Sequence, residues 1–199
     1  MKYFLFFLLI FSSMRCYAES AATGLAPFIS VGLKGSYGSN ASDDGVTVKD
    51  RKFAAYGLDA ILGLKWSGFI VGGGFDYNMW RQLTSPSSVG NSNTQGKQIN
   101  VTPVFGFQWQ FVQLLGKYFW KSTYSLDKND ANGATISYGA PDASFALQAR
   151  ILSSGSSYLG LEYAAAKYEE VERAGRISKL AVGKEMKFSS IGLLYGWVF

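Results

Sequence analysis

Histidine does not occur in the 199 residues, and cysteine occurs once, at Cys16. Histidine is the usual base for an activated serine and the side chain that titrates unperturbed near neutrality, so the commonest hydrolytic machinery has no centre here. Charged residues are scarce as well, at 17% against the ~25% of an ordinary soluble domain. Long hydrophobic runs are also missing. The longest, Tyr3 to Phe11, is at the extreme N-terminus, and nothing later approaches the ~20 residues of a spanning helix. The chain is thus too apolar for a normal soluble surface and too interrupted for a helical membrane protein. A barrel that turns every second residue to lipid satisfies both facts, and the length favours one domain.

Residues 1–18 read as a cleaved secretory signal peptide. Lys2 supplies the positive region, Tyr3 to Phe11 the apolar core, and Cys16-Tyr17-Ala18 a small-x-small site before Glu19. Arg15 stands where a lipoprotein motif wants a small residue, which argues against lipidation of Cys16. Export would remove the only thiol, leaving no disulfide or thiolate metal site. It would also remove Lys2 and Arg15, so 17 basic residues would face 14 acidic ones. That surplus is too small and dispersed for a nucleic-acid partner.

Residues 19–27 are expected to form a short periplasmic segment, and residues 28–199 an all-β, antiparallel up-and-down transmembrane barrel of eight strands. The evidence is alternation with period two. Ile29, Val31, Leu33 and Tyr37 alternate with Ser30, Gly32, Lys34 and Ser36. Tyr56, Leu58, Leu62 and Leu64 alternate with Gly57, Asp59, Gly63 and Lys65, and Phe75, Tyr77 and Met79 with Asp76, Asn78 and Trp80. Later strands oppose Phe105 and Phe107 to Gly106 and Gln108, Leu114 and Trp120 to Gln113, Lys117 and Lys121, Leu147 and Ile151 to Gln148 and Arg150, and Leu161 and Tyr163 to Glu162 and Ala164. Between them, polar stretches at 38–51, 83–98 and 124–141 read as long loops that alternate with tight turns. Residues 171–187 read as a fourth outer loop, with room for a projecting hairpin, since a ninth membrane strand would put the termini on opposite sides.

Alternation alone does not say which face meets lipid. The polar face carries both signs of charge, which are costly in lipid but able to pair in a narrow lumen. It is also rich in Gly, Ala and Ser, as a crowded small interior requires. Aromatic residues collect in two zones: Trp66, Phe69, Trp109, Phe111, Tyr158 and Trp197 toward the short turns, and Tyr37, Tyr56, Tyr77, Trp120 and Tyr163 toward the long loops. Two aromatic girdles are the expected consequence. Lys34, Asp59, Lys65, Asp76, Lys117, Lys121, Gln148, Arg150 and Glu162 are therefore the candidate lumen lining.

The last strand sets Ile191, Leu193, Tyr195, Trp197 and the terminal Phe199 on one face. This segment resembles the C-terminal assembly signal of bacterial outer-membrane barrels, and the rest of 28–199 is similar, more generically, to the small OmpA/OmpX/OmpW-type barrels. The resemblance implies a Gram-negative outer-membrane protein. Its partners would be outer-membrane lipid and lipopolysaccharide, the barrel-assembly machinery during biogenesis, and an unknown surface ligand. It implies no cofactor. The outer-membrane phospholipase, omptin-type protease, lipid A deacylase and palmitoyltransferase patterns each use a histidine, so none maps onto this chain. The leading expectation is a non-enzymatic structural or surface-interaction role carried by four long extracellular loops. The alternative, OmpW-like or porin-like, is a narrow channel for small or apolar solutes, with Gly73 and Pro103 as places where the wall would open. A histidine-free enzyme would need a close pair of inward polar residues beside lipid.

Three local motifs point elsewhere and are set aside. Gly72-Gly73-Gly74 is followed by no Lys-Ser/Thr and no helix, so it reads as relief of crowding in a strand rather than a phosphate loop. The Asp127 to Gly133 stretch misses the EF-hand register, with Tyr138 where the closing Glu would stand. Asn40-Ala41-Ser42 and Asn100-Val101-Thr102 match a glycosylation triplet, the second inside a membrane strand.

Overall fold

The computed structural model describes residues 24–43, 48–83, 95–126, 136–153, 156–173, 175–180 and 184–199. The expected signal peptide lies outside the described residues, as do the calcium-like stretch Asp127 to Gly133 and most of the 83–98 loop. Ten strand segments follow in order: β1 (Leu25–Asp43), β2 (Val48–Trp66), β3 (Phe69–Gln82), β4 (Gln95–Trp109), β5 (Val112–Tyr118), β6 (Lys121–Leu126), β7 (Ile136–Leu152), β8 (Ser157–Arg173), β9 (Arg176–Lys179) and β10 (Met186–Val198).

They make eight staves of a closed antiparallel barrel. β5 and β6 are the two halves of one stave, each pairing with β4 on one side and β7 on the other. β10 closes the ring against β1. Following the ladder through Phe28, Gly63, Gly72, Val104, Lys117, Ala146, Ala164 and Ser190 returns to β1 at Gly38, ten residues beyond the start. A stagger of ten over eight staves tilts the strands by roughly 40° and leaves an interior that side chains can fill. β9 pairs only with the end of β8, so within 171–187 the described residues form a projecting hairpin and no ninth stave.

The start of β1, the end of β10 and the tight connections share one end of the barrel, here the turn end. Ser67 and Gly68 both have positive φ, 48° and 90°, the backbone a two-residue hairpin demands and glycine adopts freely. The other end, the loop end, is taller than the sequence suggests. Residues 38–43 and 48–51, read as loop, continue β1 and β2. The same holds for 95–98 in β4, 124–126 in β6 and 136–141 in β7. At the turn end, Leu25 to Pro27 already pair with β2, so the barrel begins inside the segment expected to precede it. Pro27 is tolerated there. It pairs with Leu64 of β2 and lies outside the described β1–β10 pairs, which begin at Ser30, so its missing N–H costs no bond of that ladder.

Burial alternates along the strands: Leu62, Phe69, Leu159, Leu161 and Ile191 are all more than half exposed, while their sequence neighbours are buried or partly buried. On β2 the exposed belt runs from Trp66 to Tyr56, ten residues and roughly 25 Å along the axis after allowing for tilt. No soluble surface carries an apolar band of that height around its whole circumference.

Candidate functional site

The inward face holds three stacked layers. Nearest the turn end, Phe28, Ile61, Ile70, Val104 and Leu115 form an apolar cluster with Val198 against it. At the loop end a larger cluster contains Phe53, Trp80, Tyr124, Tyr168, Met186 and Phe188. Phe53 stacks on Phe188 at 5.0 Å, and Trp80 lies parallel to Tyr124 at 4.8 Å. Two phenol oxygens inside this cluster are tied down: Tyr124 accepts from Asn40 Nδ2 at 2.7 Å, and Tyr168 from Gln98 Nε2 at 3.0 Å.

Between the two clusters is an ion layer of three acids and three bases. Lys117 contacts Asp59 closely, Asp76 at 2.8 Å and Glu162 at 3.9 Å. Lys34 pairs with Glu162 at 2.8 Å and Asp76 at 3.8 Å. The Arg150 guanidinium donates to Asp59 at 2.8 Å, to Ser30 at 2.8 Å, to Gln113 at 3.2 Å and to Gln148 at 2.9 Å. Its flat face lies 4.2 Å from the centre of the Tyr158 ring. Gln148 completes the set, donating to both Asp59 and Glu162 while accepting from Arg150. The layer is formally neutral, and each charge has an opposite partner, the condition under which buried charge is tolerated.

Residues far apart in the chain meet here because each occupies an inward position on its stave. Gly32 makes room for this arrangement: a Cβ there would collide with the Tyr158 hydroxyl that the layer packs against. Asp59, Asp76 and Glu162 approach closely enough to suggest a metal centre. The Lys117 ammonium already occupies the position a cation would take, so the cluster reads as an ion-pair network. A cavity of about 10 Å³ separates the ion layer from the loop-end cluster, beside Lys34, Asn78, Trp80 and Asn100. That is room for about one water molecule and no more.

Of the expected lumen residues, Lys34, Asp59, Asp76, Lys117, Gln148, Arg150 and Glu162 meet in this one layer. Lys65 also points inward but sits apart at the turn end, bonding Gln108 at 3.1 Å. Lys121 is misplaced by the sequence reading. It is exposed on the outer wall beside Trp120, its ammonium 5.4 Å from the indole centre. The cause is a break between β5 and β6, where Trp120 and Lys121 both face outward and the alternation slips. Opposite the break stands Pro103, which has no N–H to offer β5 or β6, and Trp120 N–H turns back to Tyr118 instead. Tyr158 is also corrected: it was assigned to the turn-end girdle and instead lies inside the lumen. Gly73 and Pro103, where a lateral opening was considered, are paired with each other in a β3–β4 ladder unbroken from Phe69 to Arg81. The C-terminal residues Ile191, Leu193, Tyr195 and Trp197 are exposed outward, and Phe199 pairs with Ile29. The sequence reading put Trp80 on the polar face but missed the other large rings there. Phe53, Tyr124 and Phe188 also occupy inward positions near the loop ends, and that was the available signal.

No protein-family model matches the chain, and no curated protein matches its sequence. Solved structures do match its shape. Ail, the attachment invasion locus protein of Yersinia pestis, superposes in its complex with the heparin analogue sucrose octasulfate at a TM-score of 0.53 and 15% identity, covering 87% of this chain and 99% of Ail. A second Ail structure gives 0.52 and 18% identity, covering 89% and 99%. Neisserial surface protein A gives 0.50 and 12% identity, covering 86% and 97%. The fold is that of the small eight-stranded outer-membrane β-barrels.

Proposed function

We propose that this chain is an integral outer-membrane protein without catalytic activity, in which a closed barrel serves as a rigid scaffold for surface contacts. The loop end would face outward and present the four connections on that side, and any recognition would belong to them and to the barrel wall that carries them. The observation that carries this reading is the layered lumen. An ion layer whose charges compensate one another, with apolar clusters on both sides, supports a plug over an aqueous path for a solute. The names of the similar proteins, an attachment invasion locus protein and a surface protein, agree with a role in contact.

The test is planar-bilayer conductance of the refolded chain, with folding confirmed by the gel-mobility difference between unheated and boiled samples. A folded, silent barrel is expected. Discrete, reproducible openings would overturn the plug and restore the narrow-channel alternative. The membrane reading has its own test in Leu62→Arg. Leu62 is 67% exposed in the middle of the belt, where a basic residue costs about 2–4 kcal/mol. Normal folding of this variant in bilayers would mean that the belt does not face lipid.

A further inference from the structure

Every charge of the ion layer has a partner within the chain, but two polar atoms just above it have none. Among the described residues, Asn78 Oδ1 and Trp80 Nε1 are buried without a hydrogen-bond partner. Both side chains are more than nine-tenths buried, at 4% and 3% exposure. Both also line the cavity of about 10 Å³ between the ion layer and the loop-end cluster. A buried donor or acceptor left unpaired loses its hydration and gains nothing in return, so such atoms are rare unless a solvent molecule reaches them.

The strands build this place from three sides. Asn78 and Trp80 are consecutive inward positions on β3. Across the sheet the ladder runs from Asn78 through Gly57 to Lys34. Gly57 has no side chain, and a Cβ there would collide with Asn78 Oδ1. The amide oxygen therefore lies over the Gly57 backbone, on the side toward Lys34. Lys34 lines the same cavity, and its described hydrogen bond goes to Glu162 at 2.8 Å. An ammonium carries three donors, so it has N–H groups left to give. Phe119 and Phe188 border the space and offer no hydrogen bond from their rings.

We propose that this cavity binds a single water molecule as a structural ligand, which accepts from Trp80 Nε1 and Lys34 Nζ and donates to Asn78 Oδ1. The volume admits one molecule of that size and nothing larger. The unpaired atoms are one donor and one acceptor, and this selects among small ligands. A halide would accept from the indole and the ammonium but give Asn78 Oδ1 nothing. A monatomic cation would suit Asn78 Oδ1 but face the ammonium and the indole N–H. Water serves both, and three partners is the usual number for a buried one. It ties the ion layer to the aromatic core through Lys34, a link that no direct side-chain contact supplies at this point. The inference deepens the plug reading and rests on it, since one isolated water needs a lumen closed to bulk solvent.

The experiment is NMR transfer of magnetisation from water to indole N–H groups, on the deuterated, 15N-labelled chain refolded in detergent micelles. The Trp80 indole should show a water cross-peak with the sign of a molecule that tumbles with the barrel. Trp66, Trp109, Trp120 and Trp197, exposed on the outer wall, should lack it. Asn78→Leu removes the acceptor and fills the space, so the cross-peak should be lost. No cross-peak at Trp80 in the unmodified chain means a dry cavity and overturns the proposal. Its persistence in Asn78→Leu assigns it to exchanging ammonium or hydroxyl protons and overturns the proposal equally. Replacing chloride by bromide should leave the Trp80 indole resonance in place, and a saturable shift would make the occupant an anion. This arm and the first need only the unmodified chain, so they decide the matter even if Asn78→Leu does not fold. A conducting barrel would sink the plug reading and the isolated water with it; a silent barrel without the cross-peak loses the water alone.

Discussion

The ion layer and the loop-end aromatic cluster fill the same tube with opposite chemistry. Both are enclosed by the same walls, and both are built from alternate residues of the same strands. Asp59 and Phe53 lie six residues apart on one face of β2, as do Lys34 and Asn40 on β1. The ion layer lies at the level of the apolar belt. The aromatic cluster lies level with and beyond its rim, where the outer wall turns polar with Lys52, Arg81 and Lys97. Behind the apolar belt the inside holds the ion layer and, toward the turn end, a small apolar cluster. Where the outside turns polar the inside is a conventional apolar core. Above the rim it is built like a small water-soluble β-barrel.

The two layers should fail differently, and the largest effect is expected in the ion layer. Lys117→Met leaves three buried carboxylates facing two cations, and removing one partner from a buried network costs about 3–5 kcal/mol. Urea unfolding in bilayers should show this as a large loss of midpoint, and a change below ~1 kcal/mol would mean that water reaches the layer. Next is Phe53→Ala, which removes a ring stacked on Phe188 and edge-on to Trp80 at 6.3 Å. A buried Phe→Ala change costs about 3 kcal/mol or more through lost burial and the cavity it leaves. Intrinsic tryptophan emission should move to the red as Trp80 becomes wet. An unchanged spectrum with unchanged stability would mean that the upper barrel is not a packed core.

The alternation and the inward set Lys34, Asp59, Asp76, Lys117, Gln148, Arg150 and Glu162 were legible because each depends on period two alone, and the even count of staves because a ninth would put the termini on opposite sides. The height of the barrel was not. Above the rim the polar side chains move outward, so the polar stretches 38–43, 48–51 and 95–98 read as loop although they continue β1, β2 and β4. Lys121 was misread because a bulge shifts parity by one residue, and its cause, Pro103, is on the neighbouring stave rather than beside it in sequence. Tyr158 was misread because aromatic character near a turn suits a girdle and a lumen equally well. What decides its side is Gly32 on β1, whose missing side chain leaves space for the phenol. Pair partners could be guessed no better than charge balance allowed, since register sets which acid meets which base.

The smallest expected effect sharpens the comparison most. Lys34→Leu/Glu162→Leu removes one charge of each sign, so the remaining layer keeps Asp59 and Asp76 against Lys117 and Arg150 and stays neutral. Replacing a buried ion pair by apolar side chains of similar volume is often neutral or stabilising, so the double variant should unfold within about 1 kcal/mol of the unmodified chain. Each single variant should lose several times that, because each leaves an uncompensated charge. Urea midpoints of the three variants give the coupling between the two residues directly. Strong destabilisation of the double variant would mean that the hydrogen bonds to Gln148, rather than charge compensation, hold the layer together. Near-neutrality would mean that the ion layer is interchangeable with the aromatic core above it, and that charge in this lumen specifies which staves meet without adding to the strength of the fold.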